Sequence, residues 1–89
     1  MTWKLEYSSK ARKQLLKLDP APRAIILSWM DKNISGCNDP RVNGKALTSD
    51  HSGEWRYRIG DYRVLCEIQD SKLIVLAFSI AHRNKVYKR

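Results

Sequence analysis

The chain has 89 residues, which suffices for one domain with a single core over residues 1–89 and leaves no room for a second domain. Seventeen Lys and Arg against nine Asp and Glu give a formal net charge of +8, while 43% of the residues are hydrophobic. A disordered basic tail would lack the aromatic residues present here, so we expect the charge to lie on a folded surface. Such a surface would attract an anionic partner. Charge alone would also suit a protein that is merely soluble.

The first half of the chain predicts one strand and two helices. Apolar and polar residues alternate over 3–7, as in a strand with one buried face. Ser8-Ser9 can cap a first amphipathic helix, and Asp19-Pro20 begins a second helix that ends at Gly36. The apolar face of this second helix is expected to contain Ile25, Ile26, Trp29 and Met30. The two helices would form a hairpin.

The second half predicts a polar loop over 37–53, of a length that tends to be functional, and then a set of strands. The strands are expected over 54–59, 62–69 and 72–80. They would be joined by the two-residue turns Gly60-Asp61 and Asp70-Ser71. The order is β-α-α-β-β-β, so we expect an α+β fold in which a two-helix hairpin packs on a mainly antiparallel four-stranded sheet.

The Gly60-Asp61 turn sorts the side chains of the hairpin that it joins between the two faces of the sheet. One face receives residues that can pack on the helices: Trp55, Tyr57, Ile59, Tyr62, Val64 and Cys66. The other face receives Arg56, Arg58 and Arg63. Like charges that face each other across strands are unfavourable by about 0.2–1 kcal/mol per pair, so Arg58 opposite Arg63 calls for a counter-charge such as phosphate.

An aromatic residue is expected among these arginines. Counting across Asp70-Ser71 places Phe78 opposite Arg63, with Arg83 just beyond the end of the strand. Guanidinium groups bind phosphates bidentately and planar side chains stack on exposed bases, so the mixture suits RNA. The alternative is a solvated sheet face on which Glu67 is the partner, although one carboxylate cannot neutralise three arginines.

Membrane, metal and cofactor signals are not found in the sequence. The longest apolar stretch, residues 73–80, is too short to span a bilayer, and the chain starts without the apolar core of a signal peptide, so we expect a cytoplasmic protein. Cys37 and Cys66 lack metal-ligand spacing and are interpreted as reduced thiols, with a bridge between them as the alternative. Without a carboxylate cluster or a His/Cys ligand set, arginines are left to supply positioning and charge stabilisation.

Two segments carry a family resemblance: WRYRIGDYRVL at residues 55–65 and AHRNKVY at residues 81–87. With the order of the elements, they resemble the RelE/ParE superfamily of toxins from type II toxin–antitoxin systems, over nearly the whole chain. The resemblance implies a ribosome-dependent endonuclease that inhibits translation. It would cleave messenger RNA without a metal, through attack of a ribose 2′-hydroxyl on the adjacent phosphate. Relatives called ParE inhibit DNA gyrase instead.

The same resemblance implies the partners of the protein. They are a cognate acidic antitoxin similar to RelB, the ribosome with its messenger RNA, and operator DNA reached only through the antitoxin. No cofactor and no membrane are implied. A third interpretation is a toxin-like module that has lost activity and binds only an antitoxin or DNA.

The resemblance also assigns site residues. Arg63 resembles the hairpin arginine that holds the scissile phosphate, Arg83 the arginine after the last strand, and Tyr87 the C-terminal tyrosine. His82 is added to these catalytic candidates, because an imidazole titrates near neutrality. RNA binding is assigned to Lys45, Arg56, Arg58 and Phe78.

The sequence leaves the identity of the general base open between His82 and Lys45. Arg56 and Arg58 stand where RelE carries lysines, one of them assigned to proton transfer, and arginine stays protonated at ordinary pH. His82 and Lys45 are the substitutes, although a lysine needs neighbouring cations to become a base. The replacement of lysines by arginines also keeps the gyrase alternative open.

Overall fold

The computed structural model describes residues 2–47 and 53–84. These residues contain two helices and five strands. The helices are α1 (Ser9–Lys17) and α2 (Pro20–Asn33). The strands are β1 (Lys4–Tyr7), β2 (Lys45–Ala46), β3 (Glu54–Ile59), β4 (Tyr62–Gln69) and β5 (Ile74–His82). The predicted α+β class is confirmed, but the sheet has five strands instead of four because β2 forms within the predicted loop.

The strands form one sheet in the order β1-β5-β4-β3-β2. β1 runs parallel to β5, and the other neighbours are antiparallel. α1 packs on β5 and α2 on β3, so the hydrophobic core lies between the helices and one face of the sheet, which we call the core face. Its buried side chains include Ile26, Met30, Tyr57, Val64, Cys66 and Ile68.

Both helices begin near the predicted residues. Ser8 is the N-cap of α1, and its Oγ accepts a hydrogen bond from the backbone N–H of Ala11 at 3.1 Å, which satisfies a free donor of the first turn. Asp19 precedes α2 and Pro20 occupies its first turn, but the Asp19 side chain makes no capping hydrogen bond. α2 ends at Asn33, three residues before the expected Gly36.

The apolar face of α2 is narrower than predicted. Ile26 and Met30, four residues apart, are buried as one stripe, and Trp29 is half-buried. Ile25 is 59% exposed, so its assignment to this face was wrong. Because successive residues of a helix differ by about 100°, a single stripe on a two-layer fold cannot bury every apolar neighbour.

The β3–β4 hairpin has the predicted register. Gly60-Asp61 joins the strands, with Ile59 opposite Tyr62 and Arg58 opposite Arg63. Gly60 has a φ of +57°, a left-handed conformation that suits glycine at such a turn. Alternation then places the aromatic and aliphatic residues on the core face and the arginines on the opposite side, which we call the outer face.

The predicted register of β4 and β5 was wrong. The connection has four residues, Asp70–Leu73, and it is closed by hydrogen bonds from the N–H of Lys72 to Gln69 O and from the N–H of Leu73 to Asp70 O, at 3.1 and 3.4 Å. Cys66 pairs with Ala77 while Leu65 pairs with Ser79, so Phe78 is an extra residue at a β-bulge.

The longer turn has a physical reason. It packs Leu73 against the hydrophobic core and brings Asp70 within reach of Arg41. As a result, Ala81 and not Phe78 lies opposite Arg63, and Ser79 lies opposite Leu65.

Cys37 and Cys66 are free thiols, as predicted. Cys66 is buried in the core, and burial raises the pKa of its thiol well above the usual value. Within residues 2–47 and 53–84, neither helix has the length and apolar character needed to cross a membrane.

Candidate nucleic-acid interface

Four cationic side chains meet on the outer face through strand pairing. Lys45 of β2 lies opposite Arg56 of β3, and Arg58 of β3 lies opposite Arg63 of β4. Cross-strand partners, and residues two apart along a strand, project on the same face. We call Lys45, Arg56, Arg58 and Arg63 the basic cluster.

The basic cluster has no carboxylate partner among the described residues. Among the described residues, Arg41 forms an ion pair with Asp70 and Arg83 forms one with Asp61, and neither pair includes a member of the basic cluster. Glu67, the counter-charge considered from the sequence, lies opposite Glu54, and its Oε1 accepts a hydrogen bond from Gln69 at 2.8 Å. Glu54 and Glu67 thus lie on the outer face beyond Arg56, but neither forms an ion pair with a member of the basic cluster among the described residues.

Arg63 is the most constrained member of the basic cluster. Its Nε is buried without a hydrogen-bond partner. Its outer-face neighbours Leu65 and Ser79 are only 2% and 3% exposed, although Leu65 does not belong to the main core. A buried charged donor without an acceptor costs about 1–3 kcal/mol or more, so stability of the free protein does not explain an arginine at this position.

Arg83 lies just after β5, beside the Gly60-Asp61 turn. Its backbone N–H donates to Asp61 O at 2.7 Å, and its side-chain Nε is 3.6 Å from Asp61 Oδ1. The Arg83 side chain is 60% exposed, and ion pairs of this kind contribute about 0–1 kcal/mol. The guanidinium can therefore exchange the carboxylate for an incoming phosphate at little cost.

His82 does not join the basic cluster. It lies opposite Tyr62 across β4 and β5, and the two rings make an edge-to-face contact with centroids 5.2 Å apart. Tyr62 packs against the core, so His82 faces the same side of the sheet and away from Arg63. Its Nδ1 accepts a hydrogen bond from the backbone N–H of Asn84 at 3.2 Å. The catalytic candidate His82 is therefore separated from the candidate Arg63, because the two lie on opposite sides of the sheet.

Two other predicted site residues, Phe78 and Tyr87, are not found next to Arg63 among the described residues. Phe78 lies at the bulge and not opposite Arg63, so the predicted pairing of a ring with that guanidinium is wrong. Tyr87 lies outside the described residues, and its role stays a prediction.

Lys45 reaches the outer face because the segment before it docks on β3. The Nε1–H of Trp55 donates to the carbonyl oxygen of Asn43 at 2.7 Å, and the hydroxyl of Tyr57 donates to the carbonyl oxygen of Pro40 at 2.6 Å. Gly44 has a φ of +79°, and a Cβ there would collide with the carbonyl oxygen of Arg56. Only glycine permits this approach.

Arg41 fixes the other end of this segment. Its guanidinium donates to both carboxylate oxygens of Asp70, at 2.8 and 2.9 Å, and it lies 5.9 Å from the centre of the Trp55 ring. The hydrogen bonds from Arg41 hold the pKa of Asp70 below its usual value. Sequence reasoning missed these positioning residues; Gly44, just before Lys45, was the available signal.

Beyond β2, the outer edge of β3 borders a hollow of about 280 Å³. We call it the edge hollow, and it is lined by Trp29, Asn43, Gly44, Lys45, Arg56 and Arg58. It joins three members of the basic cluster to an aromatic side chain of α2. Across residues 2–47 and 53–84, no three His, Cys, Asp or Glu side chains are grouped so that they could hold a metal ion.

The model of the ParE toxin family, from the type II toxin–antitoxin system parDE, matches residues 5–87. The chain belongs to this family. It is 29% identical over 89 residues to toxin RelG of Mycobacterium tuberculosis, with all of both chains covered. The protein is thus a type II toxin of the RelE/ParE superfamily, as the sequence resemblance implied.

Solved structures of this superfamily share the fold. The RelBE2 toxin–antitoxin complex of M. tuberculosis matches with a TM-score of 0.80 at 27% identity, over 96% of this chain and 95% of that chain. The isolated RelE toxin of Escherichia coli matches with a TM-score of 0.73 at 15% identity, over 94% of this chain and 87% of that chain. At that identity the second match concerns the fold alone.

Proposed function

We propose that this toxin is a ribosome-dependent endonuclease that cleaves messenger RNA without a metal and holds the RNA backbone on its basic cluster. The observation that carries the proposal is the set of four cations without carboxylate partners among the described residues, with the Nε of Arg63 buried and unpaired. Such a surface favours a polyanion, because guanidinium groups bind phosphate oxygens through charge-assisted hydrogen bonds.

The proposed reaction is an attack by a ribose 2′-oxygen on the adjacent phosphorus. The new P–O bond forms as the bond to the 5′-oxygen breaks, which leaves a 2′,3′-cyclic phosphate and a 5′-hydroxyl end. Arg63 and Arg83 would stabilise the negative charge that develops on the phosphoryl oxygens. The ribosome would supply the in-line geometry that so small a site supplies only in part.

Lys45 is the general base that we propose. An arginine cannot release its proton at ordinary pH, so Arg56, Arg58 and Arg63 cannot accept one from the 2′-hydroxyl. Lys45 carries the amine of the basic cluster, which is the type of side chain that serves as a base in proteins, and His82 faces the other side of the sheet. Tyr87 stays a candidate for stacking on a base or for protonating the leaving oxygen.

We propose that an acidic antitoxin similar to RelB is the protein partner and that operator DNA is reached only through it. The RelBE2 complex of M. tuberculosis and the RelE–RelB complex of Pyrococcus horikoshii are toxin–antitoxin assemblies of this fold. A net charge of +8 complements an acidic partner. The place of action would be the cytoplasm, where the ribosomes are.

Inhibition of DNA gyrase is the second candidate function. It is favoured by the arginines at positions 56 and 58, which suit a binding surface at least as well as a catalytic one. A protein that only binds gyrase needs no general base. An inactive module that binds only an antitoxin or DNA would produce neither effect.

The test is a reconstituted translation system with a defined messenger RNA, in which RNA ends are mapped by primer extension. We expect cuts with 5′-hydroxyl ends that require translating ribosomes. Arg63→Ala should lower the cleavage rate at least about 100-fold, the scale for removal of one preorganised donor. Arg12→Ala is the matched control, because Arg12 is an exposed cation of α1, which packs on the core face. If messages stay intact and the toxin inhibits gyrase in a separate supercoiling assay, the nuclease proposal is wrong and gyrase inhibition is the function.

Replacement of arginines by lysines separates the two functions further. In Arg56→Lys and Arg58→Lys, each new amine keeps the charge and can also exchange a proton. We expect a nuclease to keep or increase its cleavage rate, whereas a gyrase inhibitor should change little. The readouts are the same primer extension and a supercoiling assay.

A further inference from the structure

The edge hollow combines groups that the basic cluster alone does not contain. β2 pairs with β3 only at Trp55 and Arg56, so the next residues of β3 have no strand on that side within the described chain. Lys45, Arg56 and Arg58 line one part of the hollow, and Trp29 reaches it from α2. Cations of the outer face and an aromatic ring of the helical layer therefore meet at this edge.

Trp29 retains surface for a ligand. Its ring makes a tilted contact with Tyr57, with centroids 5.5 Å apart and an angle of 48° between the planes. That contact uses only part of the indole, and the residue stays half-buried while it lines the hollow. Indole surfaces are sequence-tolerant stacking platforms for nucleobases.

Asn43 adds a group that can hydrogen-bond in both directions. Its backbone carbonyl is engaged by Trp55, which fixes the residue at the mouth of the hollow. Its side-chain amide makes no hydrogen bond within residues 2–47 and 53–84. An amide of this kind can donate to and accept from the edge of a base.

We propose that the edge hollow is a binding subsite for one nucleotide of the RNA. Its phosphate would lie among Lys45, Arg56 and Arg58, and its base would lie against Trp29, within reach of Asn43. This proposal rests on the nuclease function and adds to it a residue of α2 that binds a nucleotide next to the scissile phosphate. A volume of about 280 Å³ lies just below the range of about 300–1,000 Å³ for pockets that enclose drug-sized ligands, so a nucleotide would be partly exposed in the hollow.

An acidic peptide of the antitoxin is the competing occupant. Carboxylates would also pair with Lys45, Arg56 and Arg58, but they would leave Trp29 and the Asn43 amide without a function. A nucleotide uses all three kinds of group at once, and for that reason it is the occupant that the lining favours.

The experiment follows the indole N–H signals of the purified toxin by NMR during titration with single probes. The probes are adenosine 5′-monophosphate, guanosine 5′-monophosphate, ribose 5-phosphate and inorganic phosphate. We expect the Trp29 signal, identified with Trp29→Phe, to shift with the nucleotides. The nucleotides should bind about 5- to 150-fold more tightly than ribose 5-phosphate, the range that stacking of one base represents.

Three variants divide the binding between base and phosphate. Followed through backbone amide signals, because the variant lacks the Trp29 indole, Trp29→Leu should remove the preference for nucleotides over ribose 5-phosphate and leave the affinity for inorganic phosphate unchanged. Arg58→Gln should weaken all four probes. Lys32→Gln is the matched control, because Lys32 lines a separate groove on α2 together with Trp29 but does not line the edge hollow. This variant should bind all four probes as tightly as the parent. If Trp29→Leu unfolds, Asn43→Ala supplies a second comparison, because it should weaken the nucleotides and leave ribose 5-phosphate and inorganic phosphate unchanged.

The outcomes distinguish the subsite from the nuclease. A Trp29→Leu toxin that folds, cleaves messages at the normal rate and positions, and binds nucleotides like the parent overturns the subsite and leaves the nuclease standing. Nucleotide binding at Trp29 by a toxin that cuts no message overturns the nuclease and leaves the subsite. A Trp29 shift with an Asp/Glu-rich peptide, and none with nucleotides, assigns the hollow to the antitoxin.

Discussion

The two faces of the same sheet are built from alternating residues of the same strands, yet they are under different physical constraints. On the core face, Tyr57 and Val64 lie opposite each other and are fully buried against the helices. On the outer face, Arg58 and Arg63 lie opposite each other one position further along, and neither has a carboxylate partner among the described residues. The first pair is stabilising, whereas the second carries a repulsion that a bound polyanion would relieve.

The two faces should therefore respond differently to substitution. Side chains of the core face and the helices beneath it determine whether the chain folds. Side chains of the basic cluster cost stability in the free protein, so their presence points to a ligand. Substitutions on the two sides should consequently separate stability from activity.

The largest effect on stability is expected in the core. Met30 of α2 is completely buried. Met30→Ala should lower the free energy of unfolding by about 2–5 kcal/mol, because it removes apolar contacts and leaves a cavity. Urea denaturation followed by circular dichroism measures the change. Ile25→Ala is the control on the same helix and should change the free energy by less than about 0.5 kcal/mol, since Ile25 is mostly exposed. Equal losses in the two variants would contradict the one-stripe packing of α2.

The next largest effect is expected where β2 meets β3. Gly44→Ala places a methyl group against the carbonyl oxygen of Arg56 and forces alanine into a left-handed conformation. We expect a loss of about 1–3 kcal/mol in the free energy of unfolding, and hydrogen exchange at β2 should accelerate more than at β4. Gly36→Ala is the control, because its φ is also positive at +75° but a Cβ there meets no atom within 4 Å. If both variants behave alike, backbone strain and not the close approach explains the loss.

A smaller effect is expected at the ion pair that holds the segment before β2. Arg41 lowers the pKa of Asp70, so the pair stabilises the fold at pH values above the unfolded-state pKa of about 3.9 and loses this contribution as the pH falls further. Asp70→Asn should cost about 0.2–1 kcal/mol at neutral pH, since Asp70 is largely exposed. Denaturation between pH 2 and 7 should show parent and variant converging in acid. A constant difference would mean that charge is not the cause.

The smallest effect on stability, and of opposite sign, is expected in the basic cluster. Arg58→Gln removes one of two facing cations and should raise the free energy of unfolding by a few tenths of a kcal/mol at low salt. The gain should shrink as salt screens the repulsion. RNA affinity measured by fluorescence anisotropy should fall in the same variant. A destabilised Arg58→Gln would show that the arginine has a stabilising contact of its own.

The candidate site could be predicted in part from the sequence. The arginines of the hairpin were placed together correctly because a two-residue turn and the period of two along a strand are local rules. Lys45 was identified as a candidate, but no local rule indicated that it would lie opposite Arg56. Phe78 was placed wrongly because the second turn and the bulge displaced the register of β5, and no local rule indicated that His82 would lie opposite Tyr62.

By itself, the sequence determined the α+β class, the beginnings of the helices and the register of the β3–β4 hairpin, since these depend on caps, turn residues and periodicity within short stretches. The five-stranded sheet, the four-residue turn before β5 and the edge hollow were not predicted. Each depends on contacts between residues far apart in the chain, such as Arg41 with Asp70, Trp55 with Asn43 and Trp29 with Tyr57. Such contacts form when the layers pack, and no local pattern encodes them.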